Sequence, residues 1–165
     1  MIKIKEGRPH DAQEFISFLK QLDSETSFML YEPGERKTNV EKMTHRIEET
    51  NKNSLLLLAE DEGTIVGFLS AERGTANRTK HSAYIIIGIL RNYRGEGIGR
   101  KMLEELDKWA MNNWIIRLEL TVMKHNENAI KLYEKMGFKI EGIREKSCFV
   151  NGKFIDEYHM AKLFI

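Results

Sequence analysis

Ile85-Ile86-Ile87-Gly88-Ile89-Leu90-Arg91-Asn92-Tyr93-Arg94-Gly95-Glu96-Gly97-Ile98-Gly99-Arg100 carries an isoleucine-rich strand into a helix through three closely spaced glycines. The strand reading covers His81 to Leu90. The helix reading rests on Ile98, Met102, Leu106, Trp109 and Ala110, which recur at helical spacing. A glycine in a helical turn costs about 1 kcal/mol relative to alanine, so Gly95, Gly97 and Gly99 call for a compensating gain. A backbone brought close to a phosphate, with the unpaired N–H groups of a helix start aimed at it, supplies one. The charges agree. Arg100 and Lys101 fall in the first helical turn, where the helix dipole disfavours cations by roughly 0.3–1 kcal/mol each. Arg94 adds a third cation, and Glu96 offsets only part of this. A bound polyanion turns that local conflict into an advantage. Taken alone, the loop also reads as a glycine-rich turn with solvated charges.

Two familiar phosphate loops are excluded. The pattern G-x-x-x-x-G-K-[ST] fails because Arg100 stands five places after Gly95. The pattern G-x-G-x-x-G fails because Gly95 and Gly97 are followed by Arg100 at the third glycine position. What remains is Arg94-x-x-Gly97-x-Gly99.

Upstream of this loop, Ile2 to Lys5 alternates as a short strand, and Arg8-Pro9-His10-Asp11 opens a helix with Ala12, Phe15, Ile16, Leu19 and Leu22 on its apolar face. Asp23 to Lys37, with Pro33-Gly34, reads as a loop, and Val40, Met43 and Ile47 mark a second helix. Leu55 to Glu60 and Ile65 to Ala71 form a hairpin around Asp61-Glu62-Gly63-Thr64. Downstream, Arg117 to Met123 alternates as a strand. Ala129, Leu132, Tyr133 and Met136 share a helix face that Gly137 terminates. Phe138 to Val150 and Phe154 to Leu163 are two strands joined at Asn151-Gly152, a strong hairpin signal. The order β-α-α-β-β-β-α-β-α-β-β predicts a mixed α/β layer fold with antiparallel and parallel pairs.

The chain has 165 residues, which suits a single domain spanning 1–165. Lys and Arg number 26 against 25 Asp and Glu, a net charge of +1 that gives no support for a nucleic-acid partner. The longest apolar runs, Leu55 to Ala59 and Tyr84 to Leu90, are too short to span a bilayer, and Met1 to Glu6 lacks an apolar leader region. Cys148 is the only cysteine, so no internal disulfide forms. A cytoplasmic protein without a membrane contact is expected. His10, His45, His81, His125 and His159 are scattered without metal-ligand spacing, so no metal is expected.

Arg94-Gly95-Glu96-Gly97-Ile98-Gly99 resembles the acetyl-CoA pyrophosphate loop, R/Q-x-x-G-x-G/A, of the GCN5-related N-acetyltransferase (GNAT) superfamily. Asn126-x-x-Ala129-x-x-x-Tyr133-x-x-x-Gly137-Phe138 is similar to that superfamily's following motif, and the tail from Gly142 to Met160 resembles its branches that modify ribosomal proteins, polyamines or small amine antibiotics. The resemblance covers residues 55 to 165 well. It implies a mostly antiparallel central sheet, flanked by helices, with a splayed parallel strand pair that admits the thioester. It implies acetyl-CoA as co-substrate and direct attack of a primary amine in a ternary complex. The acceptor stays open among a peptide N-terminus, a polyamine and a small amine, as does a homodimer.

The resemblance also assigns roles. The backbone of Arg94, Gly95, Glu96, Gly97, Ile98, Gly99 and Arg100 would hold the pyrophosphate. Ile89, at the strand end, would bond the pantetheine and stabilise the oxyanion. Gly88 is read either as a bulge that starts the splay or as simple backbone packing. Asn126 is an N-cap worth about 1 kcal/mol, or a pantetheine or phosphate contact. Asn128 is a weaker candidate for the same contact. Tyr133 is a core aromatic by its face alone. By the motif it is the general acid beside the departing sulfur, a thiol of pKa near ~8.5. The strand before the loop lacks the glutamate many members use as base, which leaves Glu119, His81, Tyr84 and Glu25 as candidates. That absence also supports a second reading, a non-catalytic CoA-binding sensor. Cys148 reads as a buried thiol rather than a nucleophile.

Overall fold

The computed structural model describes residues Met1–Ile165. Its elements are β1 (Ile2–Glu6), α1 (Ala12–Glu25), α2 (Val40–Asn53), β2 (Leu55–Asp61), β3 (Thr64–Arg73), β4 (Ser82–Ile89), α3 (Ile98–Asn112), β5 (Arg117–Met123), α4 (Glu127–Lys135), β6 (Lys139–Val150) and β7 (Lys153–Leu163). Short 3₁₀ turns at Pro9–Asp11 and Arg91–Tyr93 precede α1 and α3. One seven-stranded sheet runs β1-β2-β3-β4-β5-β7-β6. Every neighbouring pair is antiparallel except β4 with β5. The predicted α/β class and element order are observed.

Helices cover both faces. On one side Phe15 and Phe18 of α1 pack edge-on against Phe68 of β3, with ring centroids 5.5 and 5.8 Å away. On the other, α3 buries Ile98, Met102, Leu103, Leu106 and Ala110. Covered on both faces, β2 buries all of Leu55 to Ala59, which is why its sequence is a continuous apolar run rather than an alternation. The final hairpin turns at Asn151 (φ 50) and Gly152 (φ 78), the two left-handed positions that its sequence predicts. No helix is long and apolar enough to cross a membrane.

Several boundaries differ from the sequence reading. The loop after α1 starts at Thr26, not Asp23. Asp23 sits in the last turn of α1 at 1% exposure, and Arg36 returns from the loop to donate two hydrogen bonds to its carboxylate, at 2.8 and 3.0 Å. A charged residue can therefore occupy an apolar helix face. The segment before α1 is a 3₁₀ turn, held by Asp11, which accepts from the Arg8 N–H at 2.8 Å and from Lys5 Nζ at 2.9 Å. The strand read as continuous from Phe138 is irregular, with register shifts between Ile140 and Gly142 and between Arg144 and Cys148.

The position of the splay is the main result for function. Parallel pairing of β4 with β5 joins only Ser82, Ala83 and Tyr84 to Arg117, Leu118 and Glu119. Beyond Tyr84 the two strands part, while β3 stays in unbroken register with β4 through Ile89. Gly88 therefore forms no bulge in that ladder. A Cβ there would lie 2.5 Å from Leu22 Cδ2 and 3.1 Å from Phe68, so this glycine serves close packing of α1 on the sheet.

Candidate active site

The ladder between β3 and β4 fixes which backbone groups face the gap. Gly74 N–H bonds to Ser82 O, and Leu90 N–H bonds to Val66 O. Even-numbered residues of β4 thus point their amides at β3, and by alternation Ile85, Ile87 and Ile89 point theirs at β5. Past Tyr84 there is no β5 ladder to receive them. The Ile89 carbonyl accepts from Arg94 Nε at 3.1 Å. The N–H groups of Ile87 and Ile89 are the donors that face the opening.

The glycines of the loop divide into two kinds. Gly95 (φ +79) and Gly97 (φ +81) take left-handed conformations that side chains rarely adopt, with nothing within 4 Å of the missing Cβ. Gly97 is the N-cap of α3 and supplies no side-chain cap, so the first amides of α3 stay open to a ligand. Gly99 differs. It is buried, and a Cβ there would meet Leu132 Cδ2 at 2.9 Å and Ile89 Cδ1 at 3.4 Å. It lets α3 seat closely on β4 and α4. Arg94, Gly95, Glu96 and Gly97 are exposed, Ile98 is buried beneath them, and Arg100 lies on the outer face in an i,i+4 pair with Glu104 at 3.0 Å.

Two contacts brace the turn that enters this loop. Tyr93 donates to Asp61 Oδ2 at 2.9 Å, tying it to the β2–β3 hairpin. Glu25, at the end of α1, accepts from the Arg91 N–H at 2.8 Å, and the Arg91 guanidinium donates to the Glu25 carbonyl. The Arg91 amide and a Gln21 hydrogen bond hold the Glu25 carboxyl below its ordinary range. That places Glu25 as a brace rather than a free base.

On the other side of the gap, Leu132 of α4 packs at Gly99, and Tyr133 lies beside it, 7% exposed. Its ring meets Phe138 with centroids 5.8 Å apart. Burial, and after it the nearby Tyr84 phenol, push the Tyr133 phenol well above its ordinary value. It therefore keeps its proton through neutral pH. Asn126 is half-buried at the start of α4, and its side chain makes no cap hydrogen bond, contrary to the N-cap reading. Asn128 is exposed in the first turn of α4.

Ile87 and Thr121 were not singled out from sequence, and Tyr84 was read only as a candidate base. Ile87 repeats the edge position of Ile89, a relation visible only once the ladder partner is known. Tyr84 and Thr121 hydroxyls meet at 2.6 Å where β4 and β5 part. Phe28 packs on His125, with ring centroids 5.0 Å apart, and Met29 reaches the surface beside Gly88. The loop after α1 thus closes over the opening with apolar side chains. Of the other base candidates, Glu119 is bonded by Arg117 at 2.6 Å, and His81 packs edge-on near Trp114. Cys148 is half-buried, and burial followed by Glu157 raises its thiol pKa, which suits an inert thiol. Two surface hollows lie away from the gap, one lined by Arg73, Trp109 and Asn113, the other by Lys20, Arg36 and Lys37.

Known proteins share this fold. The sequence model described as "Acetyltransferase (GNAT) family" matches residues 17–138. The "L-amino acid N-acetyltransferase AaaT" of Escherichia coli (strain K12) is 35% identical over 111 residues, which span 65% of this chain and 67% of that enzyme. Across it and three further curated N-acetyltransferases, the match covers 55–67% of the relative's length. A crystal structure of an acetyltransferase of GNAT family from Streptococcus pneumoniae superposes with a TM-score of 0.96, at 34% identity, covering 100% of both chains. The structure of yncA, a putative acetyltransferase from Salmonella typhimurium "with its cofactor Acetyl-CoA", superposes with a TM-score of 0.87 over 99% of this chain and 94% of that one. At 16% identity it shares the fold alone.

Proposed function

The chain belongs to the acetyltransferase (GNAT) family, and on that footing we propose that it moves the acetyl group of acetyl-CoA to a primary amine by direct attack in a ternary complex. The observation that carries this reading is the early end of β4–β5 pairing beside the open amides of α3. The residues present fit the co-substrate. Gly95 and Gly97 leave the backbone bare where a diphosphate would lie, and β4 has no ladder partner on its β5 side beyond Tyr84, where an extended pantetheine would take the place of a strand.

In this mechanism the amides of residues 95 to 100 grip the diphosphate, with Arg94 and Arg100 adding charge at the rim. The N–H groups of Ile87 and Ile89 hold the pantetheine and the acetyl oxygen, on which charge develops during attack. Asn126 bonds the pantetheine, and Asn128 stands at the margin. Acetyl-CoA supplies an activated acyl group, and the amine attacks its carbonyl carbon. Tyr133 hydrogen-bonds the departing sulfur. Its raised pKa makes full proton transfer to a thiolate of pKa near ~8.5 uphill, so it acts chiefly as a hydrogen-bond donor in the transition state.

For the acceptor we favour the α-amine of an amino acid or peptide. No carboxylate stands on β4 to strip a proton from a lysine-like amine of pKa ~10.4, whereas a peptide α-amine near ~7.7–8.0 is partly free at neutral pH. Phe28 and Met29 offer an apolar wall, and the relative named for L-amino acids points the same way. The reading places the protein in the cytoplasm.

The test is a thiol-release assay with acetyl-CoA against L-amino acids, an N-terminal peptide and a polyamine, run beside a heat-protection measurement. Protection together with amine-dependent thiol release supports the transferase. Protection without release across the amines identifies a CoA-binding sensor instead, and neither effect overturns both readings.

A further inference from the structure

One apolar side chain breaks the pattern of the sheet. Ile86 stands in the middle of β4, a central strand, yet it is 40% exposed, while Ile85 beside it is 3% exposed and Phe68 on β3 is 5% exposed. A lone isoleucine on a protein's rim needs no account, but one at the centre of a sheet lacks the cover its neighbours have. Strand alternation puts Tyr84, Ile86 and Gly88 on one face of β4 and Ile87 and Ile89 on the other. A Cβ at Gly99 would lie 3.4 Å from Ile89 Cδ1 and 2.9 Å from Leu132 Cδ2, so α3 and α4 cover the face of Ile87 and Ile89. A Cβ at Gly88 would meet Leu22 at 2.5 Å and the Met29 sulfur at 3.5 Å, so α1 and the loop after it cover the opposite face at Gly88. Their cover stops short of Ile86. On its β5 side β4 has no ladder partner past Tyr84, so this bare floor opens into the gap. Around it stand Met29, Phe28, whose ring meets His125 across the opening at 5.0 Å, and the Tyr84 and Thr121 hydroxyls, 2.6 Å apart at the closed end.

We propose that Ile86 is the floor of the acceptor site, with Phe28 and Met29 as its wall, and that it selects an α-amine whose neighbouring side chain is large and apolar, of the leucine, methionine or phenylalanine kind. This rests on the transferase reading. In that reading acetyl-CoA lies with α3 and α4, the side of Gly97 and Tyr133, and the Ile86 face is left to the second substrate. The acceptor and the co-substrate then approach the gap from opposite faces of the sheet, so both can be bound at once. Seating an apolar side chain on Ile86 takes apolar surface of both partners out of water. A charged side chain there would lose hydration against Ile86, Phe28 and Met29, whose side chains offer it no hydrogen bond to replace that water. The α-amine of the seated residue is held beside Ile87, the next residue along β4, whose N–H faces the gap. Free amino acids and peptide N-termini present the same chemistry, an α-amine next to an apolar side chain.

The experiment is thiol release with L-leucine, L-phenylalanine, L-alanine and L-aspartate, each free and as the first residue of a tetrapeptide, with acceptor and acetyl-CoA varied in turn. The proteins are the wild type, Ile86→Thr, Ile86→Val and Phe28→Ala. Ile86→Thr keeps the branched shape that suits a strand and removes apolar surface, so it should fold. The wild type should favour leucine over alanine and over aspartate by at least about tenfold in kcat/KM, the discrimination that even one buried methylene supplies. In Ile86→Thr that preference should shrink to within about threefold through a raised KM for leucine, while the KM for acetyl-CoA changes less than about twofold. Ile86→Val should keep most of the preference, and Phe28→Ala should narrow it. A preference seen with only the free amino acids or only the peptides supports the site and identifies the source of the amine. An active wild type without the preference, or a preference that Ile86→Thr leaves intact, overturns the inference. So does Ile86→Thr acting on the KM for acetyl-CoA instead, which places pantetheine on that floor. If Ile86→Thr melts below the assay temperature, Phe28→Ala decides. A wild-type protein that releases no thiol with any amine overturns the transferase reading itself and this inference with it, whereas an active but unselective one overturns this inference alone.

Discussion

At the scale of single residues, the three loop glycines do unlike work, and substitution separates them. Gly97→Ala places a side chain at φ +81 in open space, so its cost is conformational, about 1 kcal/mol of stability. On the proposed reading it also crowds the amides that would face the diphosphate, and acetyl-CoA affinity measured by calorimetry should fall about tenfold. Gly99→Ala forces a Cβ to within 2.9 Å of a Leu132 methyl, an overpacking cost of about 1–3 kcal/mol, with affinity falling less. Tyr133→Phe removes the hydrogen bond proposed to the leaving sulfur without touching the loop. It should lower kcat about tenfold to a hundredfold and leave the Kd for acetyl-CoA nearly unchanged, because a thiol leaving group needs only modest help. Equal losses of affinity in Gly97→Ala and Gly99→Ala would show that the division of roles is wrong.

At the scale of elements, α1 is fastened to the site by charges at its C-terminal end. Asp23→Ala strips Arg36 of its partner. Breaking a buried pair costs about 3–5 kcal/mol, and the lower end is expected in chemical denaturation because Arg36 retains 16% exposure. Glu25 couples α1 to the turn before the phosphate loop. Its carboxyl is held low in the folded protein, so its contribution is present above the ordinary glutamate pKa near ~4.3 and fades only as pH falls through the lower folded value. The stability that Glu25 contributes should therefore be steady from pH 8 to 5, and Glu25→Gln should lower the melting temperature at every pH in that range. The same elements show what a sequence reader can and cannot see. Strands and helices were legible because their apolar periods are local, as in α3 and β5. Asp23 was misplaced because its reason for being buried, Arg36, lies thirteen residues away and needs the fold. The loop was legible because its closely spaced glycines break the local rules for a helix start. Tyr84 and Thr121 were not brought together because they come from two strands whose register no local pattern states. Ile87 escaped notice for a similar reason, since a backbone donor leaves no mark in side-chain chemistry.

At the scale of the whole molecule, a parallel pair in an otherwise antiparallel sheet creates the gap, and helices on both faces hold it open. The β3–β4 ladder stays rigid on one side, while α4 and the loop after α1 close the other. An acetyl-CoA molecule filling that gap would replace missing ladder bonds, so it should raise stability by mass action, by about 2.7 kcal/mol at a hundred times its Kd. Adenosine nucleotide fragments that lack pantetheine should protect far less. The most direct measurement is a crystal structure with acetyl-CoA soaked or co-crystallised. The account predicts the diphosphate within hydrogen-bond distance of the amides of residues 95 to 100, and the thioester between Ile87 and Tyr133 in the opening beyond Tyr84. A CoA bound anywhere else, with that turn and opening left bare, would contradict it.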